Sequence, residues 1–250
     1  MYERKSYERP PIEEAVCEFR FRKDDWNPTT PGQLFEKLKE SYSAPPKELK
    51  QFEAQFTAGP QKPAIADVRE LPSLIRFSTE DEHKLLSIGP QRLAVSMRRP
   101  YSNWEEFRNQ ILTALREHRS ITGADEVSRV GVRYINKIVI EAINPIDLTK
   151  YFRCAPQDLS EITHEDLPRL INSVFLRQDF TFGDSTRLTR IFATTEAPDG
   201  FIGLLLDIDV YWQSGDSDSP DVSELIEQLR LRERVAFEAS IEDDCRNLFK

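Results

Sequence analysis

The sequence predicts an α+β fold: a large, strongly curved antiparallel sheet, open or closing toward a barrel, packed with two or three helices. Three observations carry this. About nine segments read as strands, most of them joined by links of hairpin length. Two longer segments repeat apolar residues at helical spacing. Strands that follow one another through short turns, rather than through helices, exclude a doubly wound parallel sheet. The 250 residues read as one domain, with a division into halves at 1–140 and 141–250 as the alternative. The halves share no alignable repeat.

The first strand is expected over Glu13–Lys23, after Pro10 and Pro11, with Phe19 and Phe21 alternating against Glu18, Arg20 and Arg22. Leu34, Phe35, Leu38 and Tyr42 then form an i, i+3/i+4 stripe, with Pro31 in the first turn and Pro45–Pro46 closing the helix. Gln51–Phe56 reads as a strand, and Ala58–Leu71, with Pro60 and Pro63, as loop. Strands follow at Leu74–Ser78, Lys84–Ile88 and Arg92–Met97, separated by the acidic turn TEDEH and a bend at Gly89–Pro90. The clearest helix is SNWEEFRNQILTALREH. Ser102 and Glu105 suggest its capping box, and Trp104, Phe107, Ile111 and Leu115 its buried stripe. The strongest strand is SRVGVRYINKIVIE.

DLTKYF and HEDLPRLI read as short helical pieces, and Val174–Phe182, Leu188–Thr195 and FIGLLLDIDVYW as strands. SGDSDSPD is a polar loop. Asp221 with Glu224 opens a terminal helix, and Ser240 with Asp243 a restart before Arg246–Phe249.

Composition narrows the function classes. The net charge of −9 opposes general nucleic-acid binding, which needs a basic surface. It suits a basic protein partner. A local patch at Arg98, Arg99 and Arg108 is the nucleic-acid alternative. Cys17, Cys154 and Cys245 are odd in number and lack a CxxC pair, so free thiols in a reducing cytoplasm are expected. MYERKSYERPP has no apolar h-region, so no signal peptide is expected, and no apolar run reaches membrane-spanning length.

Phosphate-loop, dinucleotide, nucleophile-elbow, zincin and EF-hand patterns are absent from the sequence. The three histidines, His83, His118 and His164, are scattered. What stands out is charge at one strand parity. Glu18, Arg20 and Arg22 share a face, as do Arg129, Arg133 and Lys137, and as do Asp207 and Asp209. On an open sheet this is a wet, salt-bridged face. In a concavity the same residues make a site. Arg20, Arg22, Arg92, Arg133 and Lys137 could then clamp phosphates, and Asp207 with Asp209 could hold Mg²⁺ for hydrolysis. Such a barrel has an analogue in the triphosphate-tunnel enzymes, whose opening strand carries Glu-x-Glu-x-Lys. Here Glu14, Glu18 and Arg20 depart from that spacing.

PPIEEAVCEFRF, SIGPQRL, RVGVRYIN and the C-terminal FEASIEDD occur in an order that resembles a sporadically distributed, uncharacterised bacterial family of about this length. SIED departs from that family's SIT. The resemblance implies a cytoplasmic bacterial accessory protein, of the phage-defence or toxin–antitoxin kind, without a catalytic set to carry over. Glu14, Glu18, Arg20, Arg92, Arg133, Asn136 and Asp207 fall in its motifs. The expected function is therefore a non-catalytic binding or regulatory module that acts through a protein partner and needs no cofactor. The alternative is a site for a nucleotide or another phosphorylated small molecule.

Overall fold

The computed structural model describes residues 7–59, 62–141, 147–155, 173–214 and 220–250. It is α+β, with nine strands in one sheet ordered β2-β3-β4-β5-β1-β6-β9-β8-β7. The sheet is open, and β2 and β7 stand at its two ends. The chain forms two compact units of non-contiguous segments. One comprises residues 17–97 and 102–129, and the other residues 1–16, 98–101 and 130–250.

The first unit holds the second half of β1 (Ile12–Phe21), then α1 (Thr30–Leu38), β2 (Ala44–Gly59), β3 (Lys62–Ser78), β4 (Lys84–Gly89), nearly all of β5 (Arg92–Arg98) and α2 (Trp104–Thr122). Alternation along β1 buries Cys17, Phe19 and Phe21, as the sequence requires. The α2 stripe Phe107, Ile111, Leu115 and His118 is buried too. His118 stacks on Phe21 with ring centroids 5.0 Å apart, and burial pushes its pKa down to about 4, so the ring is neutral. The α2 N-cap is Asn103, one residue after the expected Ser102. Its side chain accepts from the Glu106 N–H. Gly123, at φ 61°, ends the helix in the left-handed conformation that glycine adopts without strain.

Two sequence expectations fail here. Residues 58–59 and 62–71 are not loop but part of a long β2/β3 hairpin, Pro60 lies outside the described residues, and Pro45–Pro46 do not end α1 but lie inside β2. The physical reason is the same for both. The register shifts between Ala44 and Lys47, between Leu49 and Gln51, and between Thr57 and Gly59. Pro45 and Pro46 fall in the first shift, Pro72 opposite the second and Pro63 opposite the third. Proline, lacking an N–H, is tolerated where the ladder is already interrupted.

The second unit contains most of β6 (Val127–Glu141), a 3₁₀ turn at Leu148–Lys150, β7 (Phe175–Thr181), β8 (Thr186–Thr195), β9 (Phe201–Gln213), α3 (Val222–Ser240) and α4 (Asp243–Asn247). β8 pairs antiparallel with both β7 and β9. The α3 stripe Leu225, Ile226 and Leu229 is buried, as are Leu204, Leu206, Ile208 and Val210 of β9. Asp221 caps α3 by accepting from the Ser223 and Glu224 N–H groups. α4 starts without a side-chain cap, so the expected Ser240/Asp243 restart is a plain turn of helix. Cys17, Cys154 and Cys245 are buried thiols that form no disulfide among the described residues. No helix among the described residues is long and apolar enough to cross a membrane. HEDLPRLI, with His164, and most of SGDSDSPD lie outside the described residues.

Candidate functional site: guanidinium clusters on the sheet

In the first unit Glu18 is the hub. Its carboxylate accepts from Arg20 Nε at 2.9 Å, Arg92 Nε at 2.7 Å and Arg129 Nη1 at 3.0 Å. Its side chain is 13% exposed. Burial alone would raise its pKa, but the Arg92, Arg20 and Arg129 guanidiniums outweigh that and hold it below the ordinary value. Charge-assisted bonds of this kind are short and directional.

The floor beside this hub is made of small residues. Arg76 of β3 lies opposite Ser87 of β4, which lies opposite Ala94 of β5, so the three share one face. Arg92, two residues from Ala94, is on that face too. Arg76 therefore stands two strands from Ala94, about 10 Å across the sheet. Gly89 belongs to the same floor: a Cβ there would lie 2.5 Å from Leu74 Cδ2. Arg76 is half-buried. Its Nε is fully buried and has no hydrogen-bond partner among the described residues. A buried guanidinium N–H without an acceptor is costly, because its hydration is lost and nothing replaces it.

In the second unit Arg133 grips Asp207 with a bidentate fork, Nε to Oδ1 at 2.8 Å and Nη2 to Oδ2 at 2.5 Å. Asp207 is 5% exposed and Arg133 44%. The hydrogen bond from Asp207 is the largest influence raising the Arg133 pKa, with burial opposing it and Asp209 and Glu14 assisting. Asp209, half-buried, lies two residues along the same face and opposite Thr189. Both oxygens of Asp207 are thus already occupied by guanidinium. Among the described residues no group of three or more His, Cys, Asp or Glu side chains could hold a metal. Asp207 with Asp209 is an arginine site by geometry, and Mg²⁺ would have to displace the fork.

The remaining sequence candidates separate. Asn136 faces the core, where its amide donates to the Leu206 carbonyl at 3.0 Å, so it ties β6 to β9. Lys137 is half-buried on β6 and has no charged partner among the described residues. Arg22 lies beyond the end of β1, 3.9 Å from Glu126. Arg98 and Arg99 sit 3.9 Å and 4.0 Å from Glu14 and Glu13, so acids offset that short basic run.

Three residues escape the sequence-derived set. The parity of β6 signals Arg129. Nothing local signals Arg76, which only the register of two hairpins aligns with Ala94. Glu233 is signalled by a charge inside the apolar stripe of α3, and it is fully buried beside Arg230. The Arg230 guanidinium lies 4.2 Å from the Tyr134 ring centroid, and the Tyr134 and Tyr101 hydroxyls are 2.9 Å apart. Burial raises the Glu233 pKa to about 7 against the opposing pull of Arg230 and Arg234.

Comparison with known proteins adds little to this geometry. No family model matches the chain. No curated protein matches it. Among solved structures, the S. pombe Pct1 RNA triphosphatase aligns at 10% identity and a TM-score of 0.14, over 96% of this chain and 82% of that one. The same enzyme in complex with the Spt5 CTD aligns at 12% identity and a TM-score of 0.14, over 96% and 81%. Likenesses of this size bear on neither fold nor activity.

Proposed function

We propose that the protein is a binding module, not a catalyst, and that its first unit holds an anionic, phosphate-bearing small molecule on the guanidinium face of β3, β4, β5 and β1. The observation that carries this reading is the buried, unpartnered Nε of Arg76 on the same face as Arg92. A phosphate oxygen would satisfy that donor, and guanidinium forks match phosphate geometry. Ser87 and Ala94 carry small side chains that leave room above the floor, while the Leu74 side chain covers Gly89. The Glu18 carboxylate serves to align guanidiniums, since three of them hold it.

Calorimetric titration with pyrophosphate and ATP, with and without Mg²⁺, tests this. The expected result is saturable binding that weakens with salt and falls at least tenfold in Arg76→Ala, a variant checked for folding by circular dichroism. Absence of binding by both probes, or full binding by Arg76→Ala, refutes it.

A separate observation favours a protein partner, the role expected of an accessory-system regulator. Leu231 and Val235, one turn apart on α3, are 59% and 38% exposed. Apolar neighbours on an exposed helix face fit an interface. Co-purification with the products of neighbouring genes, lost on Leu231→Asp, is the expected result. Retention in that variant removes this helix from the interface.

A further inference from the structure

β7 ends the strand order, so one of its two edges carries no strand neighbour among the described residues. The ladder to β8 says which backbone groups face that edge. The Phe182 N–H donates to the Thr186 carbonyl, and the Thr194 N–H to the Val174 carbonyl. In an antiparallel pair this pattern alternates. Even-numbered residues therefore turn their N–H and C=O groups toward β8, and Phe175, Arg177, Asp179 and Thr181 turn theirs outward. The strand is well exposed: Phe175 is 74% exposed, and Arg177 and Asp179 are each 58% exposed in the side chain. Such an edge templates another strand unless something blunts it.

The order of residues in FLRQDFT selects the occupant. Two copies of this strand, antiparallel about a two-fold axis, can pair their outward groups only in registers that differ by two residues. One such register sets Arg177 opposite Arg177 of the second copy. Another sets Asp179 opposite Asp179. Both place like charges face to face, which is destabilising. The register between them, centred on Gln178, sets Arg177 opposite Asp179 twice, Leu176 opposite Phe180 twice and Phe175 opposite Thr181 twice. Arg177 already reaches Asp179 of its own strand, Nε to Oδ2 at 3.0 Å. Across the axis the four groups would close into a square of alternating charge. On the opposite face the Arg190 guanidinium lies 5.4 Å from the Phe180 ring and bonds Gln178 Oε1, which holds both side chains in place.

We propose that the chain forms a two-fold dimer by β7–β7 edge pairing in the register centred on Gln178. It would be held by about eight inter-strand backbone hydrogen bonds and the crossed Arg177–Asp179 pairs. This is independent of the anion reading, which concerns the other unit.

The full chain is tested by sedimentation velocity over a concentration series. A concentration-dependent dimer is expected. Arg177→Asp and Asp179→Arg should each weaken it about tenfold or more, since each sets like charges opposite one another at two places. An equimolar mixture of those two variants should dimerise again, because acidic and basic edges then meet. A purely structural role of the Arg177–Asp179 pair within one chain would not produce this rescue. Gln178→Cys should cross-link to itself on oxidation, because residue 178 faces its own copy within disulfide reach. Leu176→Cys should not. A monomer at every concentration, or a dimer indifferent to these charge changes, overturns the proposal.

Discussion

Removal of Arg133 should cost more than removal of Asp207, although both deletions break the same two hydrogen bonds. Arg133→Ala strands a carboxylate that is 5% exposed. With partial rehydration the expected loss is about 2–4 kcal/mol. Asp207→Ala instead frees a guanidinium that is 44% exposed and can swing into water. Its expected loss is about 1 kcal/mol, that of a hydrogen-bonded pair near the surface. Urea unfolding at pH 7, followed by tryptophan fluorescence and far-UV circular dichroism, measures this, with buried Trp212 in the same unit as a reporter. Equal losses, or a larger loss in Asp207→Ala, would refute the premise that burial of the carboxylate dominates the pair.

Two further outcomes concern the second unit. The folded-state pKa of Glu233, about 7 against an ordinary 4.5 because burial dominates, means that the folded chain holds the proton more tightly. Its contribution is fully present below about pH 4.5 and is lost as pH rises to 7, a change of about 3 kcal/mol. Relative to wild type, Glu233→Gln should therefore gain stability as pH is raised from 5 to 8 in parallel urea titrations, and a flat difference contradicts it. Gly203→Ala should destabilise by about 1–3 kcal/mol and lower the melting temperature by several degrees. A Cβ there would lie 2.6 Å and 2.7 Å from the Glu196 and Thr195 carbonyl oxygens, which are backbone and cannot rotate away.

Local pattern made β1, α2, β6 and β9 legible, because each repeats one period over enough residues for the apolar face to be unambiguous. Arg133 and Asp207 were legible as same-parity charges, and so was Glu18 with Arg20. Their partnership was not, since parity names a face and not a neighbour. Arg76 shows the limit most clearly. Its place beside the arginine hub depends on two hairpin registers in succession, β3 with β4 and β4 with β5, and no local pattern specifies either. Prolines misled in the same region, because their usual meaning as breakers is reversed where they sit at irregularities of a long hairpin. Asn136 misled differently. Its motif neighbour Arg133 points outward, and the odd spacing between them sends Asn136 to the core.

The three cysteines give each unit its own chemical clock. Cys17 lies in the first unit, and Cys154 and Cys245 lie in the second. Burial raises the thiol pKa of Cys154, and that of Cys245 to about 12, so the sulfur is shielded from reagents and also kept from forming a thiolate. A disulfide reagent can react only when the segment around a given cysteine opens. The labelling rate at Cys17 therefore times the opening of the first unit. The rates at Cys154 and Cys245 time the second, and peptide mapping reads the two from one wild-type sample without a single substitution.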